Sequence, residues 1–255
     1  MKCANCNTEL HGKFCSNCGQ KKFSTHDLTI SKFVLNFFED FFKFDSNVFR
    51  TIKCLLFKPG VLSNEYMQGR IASYVKPLKL FVFTCVVVFF LGQYVSKEDY
   101  TFPVTDFNFF DAKIEKLTVE KNISREAFIE KFNANYLSKL PFYFLIVVVV
   151  STLVQALIFI RQKKVIAAHL IFSLHFYTAI LIFSLMESLF DRLGDFSHYF
   201  FFSILPLVYL FFAIKTFYHK NNLTAIIPTV FLYTVYAIIQ YYWLILTGYV
   251  TFSII

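Results

Sequence analysis

Five stretches of this chain run for about 20 or more residues with few charges, and that length constrains the fold more than any other feature. They are Pro77 to Val95 ("PLKLFVFTCVVVFFLGQYV"), Leu140 to Ile160, Val165 to Phe190, Tyr199 to Phe217 and Leu223 to Val250. Runs such as "IVVVV" would suit a buried strand, but strands span about 4–8 residues and these stretches are several times longer. At about 1.5 Å rise per residue, each is long enough as a helix to cross a hydrocarbon layer about 30 Å thick. Composition points the same way: 56% of residues are hydrophobic and only 16% charged, against about 25% charged in an average soluble domain. A core of 255 residues cannot hide that much apolar surface, so a membrane is the second solvent. The expected fold is an all-α polytopic membrane protein with five transmembrane helices and a polar loop over 96–139.

The basic residues set the orientation. Twelve Lys and Arg lie between Lys2 and Lys79, three more in the linker "RQKK" (Arg161 to Lys164), and two in "KTFYHKNN" (Lys215 to Asn222). Between the latter two, "DRLGDFSH" holds one base against two acids, and Ser96 to Lys139 balances seven bases with eight acids. Basic and non-basic connections therefore alternate, which places the N-terminus in the cytosol and the C-terminus outside. The net charge of +8 follows from this topology and from anionic lipid; nucleic acid is not an expected partner.

Before the first span comes "CANCNTELHGKFCSNCGQKK", two Cys-x-x-Cys pairs separated by eight residues. In a reducing cytosol such pairs mean metal, and Cys3, Cys6, Cys15 and Cys18 supply the four thiolates of a closed tetrahedral zinc site. Such a site is structural, so residues 1–22 are read as a small zinc ribbon that also offers a docking surface to a cytosolic protein. Gly19 supplies a tight turn after the last cysteine, and His11-Gly12 is expected at a hairpin tip between the knuckles. Cys54 and Cys85 lie in apolar surroundings and are read as small hydrophobes.

Residues 23–76 are read as amphipathic helices on the cytosolic side. Lys32, Asn36, Glu39, Asp40 and Lys43 form a polar stripe opposite Phe33, Val34, Phe37, Phe38, Phe41 and Phe42. This helix suits the inner-leaflet interface and equally suits packing on the ends of the spans. A second helix, capped by Asp45 or Ser46, is expected to run to about Lys58, where "KPG" stops it. Arg50, Lys53, Lys58, Arg70, Lys76 and Lys79 surround the entry to the first span, where each is a candidate contact for an anionic lipid head group or a determinant of topology.

The order of cysteine ribbon, then "FRTIKCLLFKPGVLSNEYMQGRIASYVKPLKLFVF", resembles an uncharacterised bacterial family: a domain of unknown function with an N-terminal four-cysteine zinc ribbon and a multi-pass membrane region. The stretch "AAHLIFSLHFYTAILIF" is similar to a histidine-bearing helix of that family, whose His-Phe-His pattern is here His175, Phe176, Tyr177. The resemblance implies this architecture and a bacterial inner-membrane location, and no activity.

Ionisable groups inside spans are expensive and are functional candidates by default. The histidine helix holds three: His169, His175 and, near its outer end, Glu187. At about 100° per residue the two histidines lie about 120° apart, and His169 and Glu187 are separated by about 27 Å, so no pair ligates one ion alone. Either they hydrogen-bond across helices, with Tyr143, Ser151, Thr152 and Gln155 as expected partners, or they line a proton or ion path. Three functions remain: a small oligomeric channel or transporter-like bundle, a membrane-anchored ribbon that serves interaction or sensing, and an intramembrane lipid-acting enzyme centred on the histidines. No nucleophile elbow, phosphate-binding loop or carboxylate pair is present, so no catalytic residue is assigned. Pro206 and Pro228 fall inside spans and predict kinks.

Overall fold

The computed structural model describes residues 1–22, 29–30, 47–95, 108–190 and 195–254. The aromatic amphipathic segment 31–46, with Asp45 and Ser46, lies outside the described residues, as does the polar stretch 96–107. Among the described residues the fold is helical, and the only strand-like pairings are two isolated bridges in the N-terminal cysteine unit, Lys2 with Glu9 and Phe14 with Lys21. The helices are α1 (Val48–Phe57), α2 (Val61–Met67), α3 (Pro77–Val95), α4 (Asn108–Lys121), α5 (Arg125–Ile158), α6 (Ile166–Phe190), the short α7 (Asp195–Tyr199), α8 (Leu205–Phe217) and α9 (Asn222–Ile254).

Among the described residues three stretches are long and apolar enough to cross a membrane: Ile166–Phe190, Phe196–Phe217 and Asn222–Ile254; Pro77–Val88 and Phe142–Ile158 are shorter apolar helices. They differ in what surrounds them. Most of α6 is buried inside protein, whereas only a minority of Phe196–Phe217 and of α9 is buried. The reason is visible in the sequence of α6. Up to Glu187 it carries no Asp, Glu, Lys or Arg, so no side of it demands water and it is the helix that others cover. Helices α3 and α5 flank it, α9 packs on α5 and α8, and the short α2 contacts both α6 and α8. Small residues at the contacts, Ala168, Ala179 and Ala213, are buried beside Leu80, Ile171, Leu174, Leu210 and Ile214.

Two elements depart from the expected boundaries. The sequence suggests a short helix from Ser124 and a separate span from Leu140; the structure joins them into α5, 34 residues long. Hydropathy marks where a helix turns apolar, not where it begins. The start is set by Ser124, whose hydroxyl accepts from the Ala127 amide at 3.2 Å, with Glu126 in the first turn beside the positive end of the helix. At about 1.5 Å per residue α5 and the 33-residue α9 are each about 50 Å long, well beyond the hydrocarbon thickness. Their far ends are joined by α4 in a second core of Phe110, Ile114, Phe128, Phe132, Tyr136, Tyr143 and Phe252.

The second departure is a π-helical turn, Phe200–Ile204, ahead of α8. Its cause is Pro206, which has no N–H to give the Phe202 carbonyl and whose ring would strike it. The freed acceptor is met from α9: the single proton of the Tyr233 hydroxyl is shared between the Phe202 and Ser203 carbonyls, at 3.2 and 3.0 Å.

Candidate functional site

The N-terminal unit consists of two near-identical knuckles. In each, the first cysteine amide closes a turn (Cys3 N to Thr8 O 2.8 Å; Cys15 N to Gln20 O 2.9 Å), and the residue after the second cysteine returns to the first cysteine's carbonyl (Asn7 and Gly19, both 2.9 Å). Asn7 and Gly19 both have positive φ, 62° and 70°. Asn tolerates this left-handed region, and "CANCN" against "CSNCG" carries the equivalence that the sequence reading assigned to Gly19 alone. The expected hairpin at His11-Gly12 is absent. The bridges lie within each knuckle, so residues 11–12 merely connect two closed turns.

Cys3, Cys6, Cys15 and Cys18 converge, each sulfur lying within 4.8 Å of the others. Across the knuckles, Cys3 and Cys18 are 3.7 Å apart and Cys6 and Cys15 3.5 Å. Sulfurs at about 2.3 Å around a tetrahedral ion would be about 3.8 Å apart, so the set fits one metal with no open position. Metal-free, the thiols differ. The Thr8 hydroxyl and backbone hold Cys6 down at about 6, whereas burial pushes Cys18 up to about 11.

This unit is fastened to the helices mainly by the side chain of Gln20, with Asn5 beside it. Buried Gln20 donates to the Gly69 carbonyl at 2.5 Å, and its own oxygen accepts from the Ile71 and Ala72 amides at 3.1 and 3.0 Å. Asn5 accepts from Ser73 at 2.9 Å. The receiving loop, between α2 and α3, is held from behind by α1: Asn47 donates to the Ala72 carbonyl and Thr51 accepts from the Val75 amide. Asn47 is also the cap position of α1, and its side chain makes no cap bond there.

On the other side of this loop, α2 is wedged into the bundle. Gly60, at φ 79°, begins it, and a Cβ there would meet the Ala213 carbonyl oxygen at 2.5 Å. Asn64 donates to the Thr216 carbonyl at 3.0 Å. The Ser63 hydroxyl lies 2.8 Å from His175 Nδ1, with both side chains buried. His175 is nine residues into α6, about 14 Å along its axis.

His169 faces elsewhere. Its Nδ1 lies 2.6 Å from the Tyr218 hydroxyl. It begins a stripe on α6 that continues at i+4 and i+8: Ser173 donates to Gln155 Oε1 at 3.0 Å, and the Tyr177 hydroxyl lies 2.7 Å from Ser151 Oγ. The Tyr236 ring packs beside Tyr177 at 6.0 Å. Gln155 Nε2, His175 Nε2 and the Tyr236 hydroxyl are buried and have no hydrogen-bond partner within bonding geometry among the described residues. Of the four partners expected for the histidines, none holds one: Gln155 and Ser151 serve other rungs of the stripe, Thr152 bonds its own helix at Val148, and Tyr143 faces Thr251. The histidines find Ser63 and Tyr218 because α2 and the end of α8 abut α6 there. Nothing in the local sequence of α6 encodes those neighbours.

Glu187 joins neither histidine. It lies 3.6 Å from His198, at the opposite end of α6 from His169. The basic residues around the first span also separate. The Arg70 guanidinium grips Glu65 through two bonds, at 2.5 and 2.7 Å; Lys76 and Lys79 are half-buried, whereas Arg50, Lys53 and Lys58 are exposed. Cys54 and Cys85 are buried free thiols, and burial raises Cys54.

Among the described residues these features define a helical protein with three helices long and apolar enough to cross a membrane and a four-cysteine unit fastened to the short helices beside them. Residues 45–89 match the family model described as a protein of unknown function (DUF3667), which agrees with the family resemblance read from the sequence. The matched stretch holds α1, the "KPG" turn, α2, the loop that receives Gln20 and the first part of α3. No curated protein and no solved structure matches the chain.

Proposed function

We propose that this is a five-span protein of the bacterial inner membrane, with its N-terminus cytosolic and its C-terminus external. It works as a small, oligomeric, transporter-like or channel-like bundle, and a structural zinc ribbon is fixed to its cytosolic rim. The two further spans are α3 and the apolar half of α5. Zinc held by Cys3, Cys6, Cys15 and Cys18 would close the ribbon and leave no coordination position for chemistry.

The observation that carries the permeation reading is the polar stripe His169, Ser173, Tyr177 on α6 with Tyr218, Gln155 and Ser151 opposite. An anchor has no need of buried imidazole, amide and hydroxyl groups in its most enclosed helix, where unpaired members cost about 1–3 kcal/mol each. A path for water, protons or small polar solutes does. The test is permeability of proteoliposomes to water, protons and small neutral solutes. Gln155→Leu and Tyr177→Phe should lower it; permeability equal to that of empty liposomes would sink the reading.

The Gln20 contacts favour a second reading, a membrane-anchored sensor in which zinc occupancy of the ribbon is transmitted through the 69–72 loop. It predicts that chelation changes the conformation of the bundle while permeability stays at background. An enzyme centred on the histidines has no comparable support, because His169 and His175 have separate partners and no acid joins them among the described residues.

A further inference from the structure

The exposed face of α1 has a composition that water does not explain. Phe49 is 81% exposed and Phe57 77%, and with exposed Lys53 between them they make one stripe at four-residue steps along the helix. Arg50 and Lys58 are exposed alongside, and α1 with its C-cap, "VFRTIKCLLFK", contains no acid. The opposite face is committed to the bundle: Thr51, Cys54 and Leu55 are buried, and the Tyr209 hydroxyl donates to the Leu55 carbonyl at 3.0 Å.

Both ends of α1 are pinned at the same rim. Asn47 and Thr51 are bonded to Ala72 and Val75, immediately before α3 begins at Pro77. The turn at Gly60 rests on Ala213 and Thr216, in the last turn and a half of α8. The helix therefore lies where apolar helices begin, at the height of a head-group layer.

We propose that this face of α1 is seated in the inner leaflet on anionic lipid, with Phe49 and Phe57 in the upper acyl region and Arg50, Lys53 and Lys58 on head-group phosphates. The chemistry selects this occupant over the others. A second copy of the same face would set three cations against three, and an aqueous acidic protein would leave two bare Phe rings unexplained. Lipid takes both, because aromatic side chains favour the interface and each cation near an anionic surface is attracted to it. Arg70, expected among the lipid contacts, is not part of this face, since its guanidinium is held by Glu65. The inference rests on membrane insertion and is independent of permeation.

The test uses the full chain in nanodiscs of phosphatidylcholine with phosphatidylglycerol. In Phe57→Trp, the fluorescence added to that of the single native Trp243 should fall by about half or more in lipid brominated high on the acyl chain, and less with aqueous iodide. Phosphatidylglycerol enrichment around the purified protein should fall about twofold or more in Arg50→Gln/Lys53→Gln/Lys58→Gln. Where the triple variant does not insert, the three single variants serve, each losing part of the enrichment. Quenching by iodide without quenching by bromolipid overturns the proposal, showing a face in water. Absence of both, showing a face covered by protein, overturns it too, as does enrichment unchanged in every cation variant.

Discussion

Replacing Gly60 with Ala probes the junction between the cytosolic elements and the bundle. Two costs add. The backbone sits at φ 79°, and a left-handed conformation costs an ordinary residue roughly 1–2 kcal/mol. The new Cβ would lie 2.5 Å from the Ala213 carbonyl oxygen, 3.1 Å from Ala213 Cα and 3.0 Å from Thr216 Cβ. Two of these are backbone atoms of α8 and cannot rotate away, so α2 or α8 must move, at about 1–3 kcal/mol for an overpacked site. The sum, about 2–5 kcal/mol, corresponds to a drop in melting temperature of about 4–20 °C for a chain of this size. Unfolding followed in detergent by thiol exposure of Cys54 and Cys85 measures it. Two other glycines separate the costs. Gly19 has φ 70° with nothing within 4 Å, so Gly19→Ala carries the strain alone; Gly12 is in open space, and Gly12→Ala should be nearly silent. A Gly60→Ala protein no less stable than Gly19→Ala would refute the close approach of α2 to α8.

Gln20→Ala removes three hydrogen bonds at once and should speed hydrogen exchange at the Ile71 and Ala72 amides by at least about tenfold without altering insertion. The purified protein should carry about one zinc per chain by elemental analysis, lost in Cys15→Ser/Cys18→Ser. Zinc should also leave as pH falls, because protons compete for thiolates that the metal needs deprotonated, and never as pH rises through neutrality. His175→Gln, read by melting temperature, should cost on the order of 1 kcal/mol, and His175→Leu more, since it leaves the Ser63 hydroxyl buried and unpaired.

The parts legible in the sequence are those whose cause is local. Four cysteines in two pairs announce their own convergence, because the spacing within each pair fixes a turn and the pairs need one another. The "KPG" stop after α1 was legible for the same reason: proline and glycine act on their own residues. The length of α5 was not, because apolarity begins near Leu140 while the helix is started by Ser124, a capping signal weaker than the hydropathy step. The partners of the histidines were missed for a different reason. Proximity in sequence suggested Ser151 and Gln155, but α6 is central and touches α2 and α8 as well, and which of its faces meets which neighbour is a tertiary fact. Gln20 is the clearest case: a lone polar residue after a cysteine knuckle has no signature, and its role exists only because the 69–72 loop is presented to it.

The account's central claim is that the stripe from His169 to Tyr177 is a path from the cytosolic rim and not merely a set of cross-helix bonds. Cysteine accessibility at position 173 tests it most directly. In a protein carrying Ser173→Cys with Cys54→Ala and Cys85→Ala, and with the ribbon thiols held by zinc, a small membrane-impermeant thiol reagent applied from the cytosolic side should label Cys at that site within minutes. Labelling should also slow severalfold when Tyr218→Trp narrows the entrance. A site that reacts only with membrane-permeant reagent, or with none until the protein unfolds, would mean that the stripe is sealed packing and the permeation reading is wrong.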